Sequence, residues 1–563
     1  MTTQTKSLSG LALSVFLLVS CSVLNTGQPF GDDVSKHMPH LSKHGNVTQL
    51  VVDNKPLLLL AGELHNSSSS SIEYMKPIWP KLKQMNLNTV LAVVSWDMIE
   101  PEENKFDFTI VDNLIREAGN HDLHLVILWF GSWKNGISHY APYWVKKDLE
   151  RFPRVRIRNG KNIEVLSVLS ESNLEADTRA FVALMRHIRK VDSEKHTVIM
   201  IQVENEVGIL GDSRDRSDAA NAAFEGPIPN ELMQYLLKHK DDLLSELKEV
   251  WSAAGYKDSG TWTEVFGEGL RADEIFMAWH YARYLDRIAK AGKAQYPLPM
   301  YVNAWIIQPR DKLPGDYPSG GPQAHNHDIW RAGAPNIDIL APDIYLPNFE
   351  EICELYVRSD NTLFIPESRA GAQGAANAFY AFGKFNAIGY SPFGIDGRIV
   401  EPENGPIPRA YDVLSQLSPL ILEHQGSDSI TSVILNKRNP SQNVTLGDYT
   451  LEVALRRQRW SPAVPESGYC MIIMTEPDEF VVAGSDIQIT FFAEAPGPEI
   501  VGLAWVYEGK FVEGRWIAGR KLNGDAIMLD YHLDRMAAEN RPGSVLRTQG
   551  EGPSILKVKL YRF

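Results

Sequence analysis

The chain has 563 residues, enough for two or three domains and for a large buried core. Hydrophobic residues at 44% and charged residues at 22% are those of a globular chain and give no sign of disorder. Lys and Arg number 56 against 70 Asp and Glu, a net charge of −14 that repels nucleic acid and suits a neutral ligand.

The first element is an address. After Lys6 comes the apolar run Leu11-Ala12-Leu13-Ser14-Val15-Phe16-Leu17-Leu18-Val19, too short to span a bilayer but shaped like a signal-peptide core. Its end, Leu18-Val19-Ser20-Cys21, resembles the bacterial lipobox, whose cysteine is lipidated and becomes the mature N-terminus. The expectation is a signal peptide over 1–20, a tether over 21–45 and a lipid on Cys21. With Ser22 rather than Asp next, the resemblance implies sorting to the outer membrane, and the membrane is met only through that lipid.

From residue 46 to 424, short apolar runs alternate with amphipathic stretches, the pattern of βαβ units around a parallel sheet. Eight strands are predicted, at 56–61, 88–94, 123–129, 197–203, 299–305, 337–340, 362–365 and 387–394. Their Val, Ile, Leu and Tyr runs are nearly continuous, as for strands buried on both faces. Ser71 caps a predicted helix over 72–85, where Met75, Ile78, Leu82 and Met85 share a face. A second helix is predicted over 177–191, and the Asp-, Ser-, Asn- and Gly-rich stretch 211–229 reads as a long surface loop. The fold class is therefore α/β, a (β/α)₈ TIM barrel. A doubly wound sheet is the alternative, but no Gly-x-Gly-x-x-Gly turn follows the first strand.

Beyond residue 425 alternating stretches dominate, at 449–453, 471–474, 486–492 and 555–561, with a turn at Glu508-Gly509-Lys510. This predicts a C-terminal antiparallel β-sandwich over 425–563. Apart from Cys21 the cysteines are Cys353 and Cys470, whose pairing the sequence leaves open. No Cys-x-x-Cys or His-Glu-x-x-His run occurs, and neither a metal nor an organic cofactor is expected.

In a TIM barrel, chemistry sits where the strands end. The fourth strand, Val198-Ile199-Met200-Ile201-Gln202-Val203, ends in Glu204-Asn205-Glu206. The seventh, Leu363-Phe364-Ile365-Pro366, ends in Glu367-Ser368-Arg369. A carboxyl partly desolvated at an apolar strand end suits a proton donor, and one beside a cation such as Arg369 suits a nucleophile. Glycoside hydrolysis needs that pair across one mouth, about 5 Å apart for retention of configuration. Strand alternation puts Glu204 and Glu206 on one side and does not choose between them. Trp133, Trp305 and Tyr345, at or just past strand ends, are candidate sugar contacts, the indoles by stacking and the phenol by orienting the nucleophile.

Asn-Glu on strand four with Glu on strand seven is the pattern of clan A glycoside hydrolases. Ile201-Gln202-Val203-Glu204-Asn205-Glu206-Val207-Gly208 resembles the acid/base segment of glycoside hydrolase family 35, the β-galactosidases, and Ser95-Trp96-Asp97-Met98-Ile99-Glu100-Pro101 is similar to its second-strand motif. The resemblance covers about two-thirds of the chain. It implies Glu206 as acid/base, Glu367 as nucleophile and Asn205 on the sugar 2-hydroxyl. The first-strand segment departs from the family's Gly-x-x-His-Tyr as Gly62-Glu63-Leu64-His65-Asn66. The third reads Gly131-Ser132-Trp133 where the family has Ala-Glu-Trp, so His65, Asn66 and Glu63 are the candidate sugar contacts, with Glu63 in place of the missing glutamate. The activity this resemblance implies is that of a retaining exo-β-galactosidase for terminal β-D-galactosides, in a divergent branch of the kind that trims xyloglucan fragments. The rivals are a clan A enzyme for another sugar, such as a β-glucosidase or β-mannosidase, and a surface lipoprotein that only captures glycans.

Overall fold

The structure, a computed structural model, describes Met1 and residues 37–306, 312–398, 403–456, 464–522, 544–548 and 552–563. The expected leader, its tether up to residue 36 and Cys21 lie outside the described residues.

Eight parallel strands form one sheet: β1 Leu59–Glu63, β2 Thr89–Ser95, β3 His124–Lys134, β4 Val198–Asn205, β5 Met300–Trp305, β6 Ile339–Asp343, β7 Phe364–Ser368 and β8 Gly389–Pro392. Their spatial order is their chain order, with β8 beside β1. The sheet closes between β6 and β7, where Ile344 bridges Ser368 and its N–H donates to the Glu367 carbonyl at 2.9 Å. The fold is a (β/α)₈ barrel. All eight predicted strands are present. The first is misplaced at its start, because Lys55–Leu57 belongs to a separate three-stranded antiparallel sheet with His40–His44 and Val47–Val52. Leu50 and Val52 of that sheet pack with Leu59, Leu91, Val126 and Ile339 and stop the barrel's amino end with apolar side chains.

Period-2 alternation fixes what reaches the other end. Leu59 and Ala61 on β1, and Ile339 and Ala341 on β6, point into the barrel core. The next inward positions are Glu63 and Asp343, both buried. The barrel is thus filled with hydrocarbon below and with carboxyl groups at the carboxyl ends of its strands.

The helices differ from expectation where backbone chemistry overrides the apolar period. The predicted helix 72–85 is broken into Ile72–Met75, capped by Ser71, and Trp79–Gln84. Pro77 brings no N–H to a continuous helix, and Pro80 is tolerated in the first turn of the second piece. Met75, Ile78, Leu82 and Met85 are nonetheless all buried. The second predicted helix starts earlier, at Glu171, where Ser170 accepts the Asn173 N–H. The stretch 211–229 is no plain surface loop. It holds a helix, Asp218–Glu225, and a buried ion cluster in which Arg214 and Arg216 grip Asp273 at 3.0 and 2.6 Å.

After the helix Pro406–His424 the chain turns into antiparallel strands: β9 Ile430–Asn436, β10 Ser441–Leu446, β11 Tyr449–Leu455, β12 Ser467–Glu476, β13 Glu479–Ser485, β14 Ile487–Ala493, β15 Val501–Val512, β16 Arg515–Lys521, β17 Ser544–Arg547 and β18 Ser554–Arg562. They make a six-stranded sheet, β9-β12-β13-β18-β15-β16, and a four-stranded one, β10-β11-β14-β17. Val433, Leu451, Phe480, Ile489 and Val558 fill the space between the two. The predicted turn at Glu508-Gly509-Lys510 lies inside β15, where the register slips between Tyr507 and Gly509. The hairpin turns instead at Glu513 and Gly514, both with positive φ, the backbone a two-residue hairpin requires. Met471, Ile473 and Val481 on the outer face of the six-stranded sheet belong to the same apolar core as the barrel's helices. Cys353 and Cys470 are free, buried thiols.

Candidate active site

β4 ends in two residues with left-handed backbone, Glu204 at φ 62° and Glu206 at φ 45°. This breaks the alternation that would have kept them on one side. Glu204 is thrown outward, between the sheet and the helix Glu171–Asp192. Its oxygens accept the N–H groups of Ser132 at 2.9 Å and Trp133 at 2.7 Å, and it lies beside Asp177. Burial, then the Asp177 charge, raises its pKa well above the usual carboxylate range. Gly131 permits this closeness, since a Cβ there would stand 2.5 Å from Glu204 Oε1. Glu204 is a packing group, and it is Glu206 that reaches the barrel mouth.

Glu206 enters the barrel mouth. Its N–H donates to Asn303 Oδ1 at 3.1 Å, and its Oε2 accepts from the Asn135 amide. Across the mouth, Glu367 accepts from the Tyr345 hydroxyl at 2.8 Å and, more weakly, from Asn205 Nδ2 at 3.4 Å. One carboxylate oxygen from each of Glu206, Asp343 and Glu367 lies within 4.8 Å of the other two. Burial, then the charge of Glu367, pushes the Glu206 pKa up to about 7, against the opposing pull of Lys134 and a hydrogen bond with Asp343. Asp343 and Glu63 are pushed well above the carboxylate range, first by burial and next by Glu367. Burial also raises the Tyr345 phenol, helped by Glu367, so it stays a donor.

The cation of the site is Lys134, not Arg369. Arg369 is exposed and donates to the Tyr345 carbonyl at 2.6 Å. Lys134 ends β3 and is 8% exposed. Burial would lower its pKa, but Glu367, Glu206, Glu63 and Asp343 outweigh burial and raise it. Its Nζ also lies 5.1 Å from the Phe130 ring centroid, within cation–π range.

The other expected contacts divide. Asn205 and Tyr345 hold Glu367, as above. His65 is half exposed, and its Nδ1 and backbone N–H meet Asp396 Oδ1 at 2.9 and 3.0 Å. That bond fixes the tautomer and leaves Nε2 free of Asp396. Asn66 is partly buried, with no partner for Oδ1 among the described residues, and Trp305 at the end of β5 is 37% exposed. Trp133 is not a platform: its indole is buried between Tyr281 and Tyr284 and donates to the Leu166 carbonyl at 3.1 Å. Glu63 is wholly buried at the floor of the mouth, and neither of its oxygens has a partner among the described residues.

Sequence reasoning missed Lys134, Asn135, Asn303 and Asp343. Asp343 had the same signal as the glutamates, a carboxyl closing the apolar run Ile339-Leu340-Ala341-Pro342, but the predicted strand stopped at Leu340. Lys134 and Asn135 lie beyond the predicted end of β3, where the register with β4 slips between Trp129 and Lys134.

Residues 69–265 match the family described as β-galactosidase, and residues 407–533 match a domain of unknown function, DUF5597. A β-galactosidase of Xanthomonas manihotis is 28% identical over 172 residues, 29% of this chain and 26% of that protein. β-Galactosidase 11 of Arabidopsis thaliana is 28% identical over 166 residues, 28% of this chain and 18% of that one. Over these residues the barrel is similar to β-galactosidase domains. The match to these relatives spans about a quarter of their own length or less. Among solved structures, the cold-adapted β-galactosidase of Rahnella sp. R3 is 15% identical, covering 65% of this chain and 57% of that one with a TM-score of 0.44. The catalytic domain of β-amylase from Paenibacillus polymyxa is 12% identical, covering 61% and 93% with a TM-score of 0.42. The barrel departs from the family pattern on β3. Where the family resemblance calls for a glutamate stands Ser132, whose hydroxyl is spent on Asp177 at 2.5 Å.

Proposed function

We propose that the chain is a retaining exo-β-galactosidase, with Glu206 as acid/base and Glu367 as nucleophile. The observation that carries this reading is the approach of their oxygens to within 4.8 Å across the barrel mouth. Retaining glycosidases hold their two carboxyl groups about 5–5.5 Å apart, whereas inverting ones leave about 6.5–9.5 Å for a water. In the first step Glu206 gives its proton to the leaving oxygen as Glu367 attacks the anomeric carbon, and the glycosidic bond breaks. Tyr345 and Asn205 aim the Glu367 carboxylate at that carbon, and Lys134 balances its charge. Once Glu367 is esterified its negative charge is gone, and with it one of the two causes that raise Glu206. Glu206 then becomes a better-ionised base and takes a proton from the water that releases the sugar.

Trp305, His65 and Asn66 are the side chains of the mouth that a terminal sugar would meet, the indole by stacking and the others by hydrogen bonds. Galactosylated xyloglucan fragments are the proposed natural substrate, supported by the departures on β1 and β3, and lipidation at Cys21 would hold the enzyme at the outer membrane. The test is to follow hydrolysis of aryl β-D-galactosides by NMR. β-Galactose as the first-formed product is expected. First-formed α-galactose would overturn retention, and turnover of gluco- or mannosides alone would overturn the sugar.

A further inference from the structure

Asp343 is the third carboxyl of the mouth, and the two-residue machinery gives it no task. The groups around it come from every side of the barrel: Glu206 on β4, Glu367 on β7, Glu63 on β1 and Lys134 on β3. The phenols of Tyr301 on β5, Tyr345 just past β6 and Tyr356 on the helix Phe349–Tyr356 also lie within electrostatic range of it. Its Oδ2 accepts from Asn303 Nδ2 at 2.8 Å, and the same Asn303 takes the Glu206 N–H on its Oδ1. One amide therefore sets the spacing between Asp343 and Glu206. The other oxygen, Oδ1, is buried and has no donor among the described residues. The Tyr345 hydroxyl is already committed to Glu367. A buried carboxylate oxygen without a donor has given up its water without a replacement hydrogen bond, which is unfavourable. That cost is relieved if Asp343 carries a proton and donates to Glu206, one of whose oxygens lies within 4.8 Å of an Asp343 oxygen.

We propose that Asp343 is a positioning residue for the acid/base: as a neutral acid it donates a hydrogen bond to Glu206 and holds that carboxyl in line for proton transfer to the leaving group. Asp343 does not itself touch the reacting atoms. Its proton stays on it through the cycle, and the proton lost to the leaving oxygen is that of Glu206. The role rests on the reading of Glu206 as acid/base. Burial and three neighbouring carboxyls keep Asp343 protonated, in agreement with its raised pKa.

The experiment compares Asp343→Ala, Asp343→Asn and Glu206→Ala with the wild-type chain. The substrates are a series of aryl β-glycosides graded by leaving-group acidity, on the sugar that the wild type cleaves. A residue acting through the acid matters only when the leaving group needs a proton. For Asp343→Ala, kcat/KM should fall about tenfold or more on poor phenols but less than about threefold on dinitrophenyl, within the range of general-acid effects. Its alkaline limb should move to higher pH, since the bond that favours the Glu206 carboxylate is lost. Asp343→Asn should restore most of the wild-type dependence, because its amide donates to Glu206 while its oxygen still accepts from Asn303. Should the alanine chain fail to fold, Asp343→Ser replaces it. A loss for Asp343→Ala that is equal on all leaving groups, beside a steep series for Glu206→Ala, would overturn the role of Asp343 alone. A flat series for Glu206→Ala would instead overturn the assignment of Glu206.

Discussion

Lys134 is, among the described residues, the positive charge that faces Glu206, Glu367, Glu63 and Asp343 together. It favours the ionised form of every one of them. With the Glu206 pKa near 7, kcat/KM should fall on the alkaline side as the acid loses its proton, with a limb near that pH. Lys134 pulls that value down, so Lys134→Met should move the limb to higher pH, whereas Lys134→Arg should keep it near the wild-type position. A pH–rate profile of the two variants checks the sign. A limb unmoved in Lys134→Met would mean that the ammonium does not act on Glu206. The residue scale is also where sequence reading was least complete. Glu367 was legible because it closes an apolar strand, and Trp133 misled because a tryptophan past a strand end looks the same whether it faces sugar or core. Lys134 and Asp343 each lay a few residues past a predicted strand end, so their part in the mouth went unseen.

Single elements explain why periodicity could not separate Glu204 from Glu206. Alternation is a property of extended backbone, and β4 leaves it at φ 62° and 45°. No pattern of residue types announces that turn, which arises where β3 slips register against β4. Gly131 is the part of that arrangement a substitution can probe. A Cβ at 131 would stand 2.4 Å from Trp129 Nε1, 2.5 Å from Glu204 Oε1 and 2.8 Å from Asp177 Oδ1. Gly131→Ala should lower stability by about 1–3 kcal/mol, the range of an overpacked interior, and reduce activity by shifting the end of β4. Denaturant unfolding beside kcat/KM measures both. An alanine variant as stable and active as the parent would show that Glu204 does not pin that strand end. The helices teach a related lesson. The buried face of 72–85 was readable as Met75, Ile78, Leu82 and Met85, while its break was set by two prolines that the period ignores.

For the whole molecule, the architecture was readable because eight apolar runs spaced by amphipathic segments leave few ways to bury their faces, and because strand alternation replaces that pattern past residue 425. The union of the two parts was not readable. Met471, Ile473 and Val481 sit on strands whose opposite faces already have a core, and only packing reveals that they share another with the barrel's helices. This shared core predicts one cooperative thermal transition for barrel and sheets. Ile473→Ala should cost about 2–5 kcal/mol and lower that single transition as a unit. Calorimetry that resolved two transitions, with only one displaced by Ile473→Ala, would show instead that the parts unfold independently.

The central claim is that Glu367 attacks the anomeric carbon while Glu206 serves as acid/base. Its most direct test is to incubate the chain with a 2-deoxy-2-fluoro-β-galactosyl fluoride and map the trapped sugar by peptide mass spectrometry. The expected result is one sugar per chain, attached at Glu367. A stoichiometric label on Glu206 or Asp343 would contradict the account.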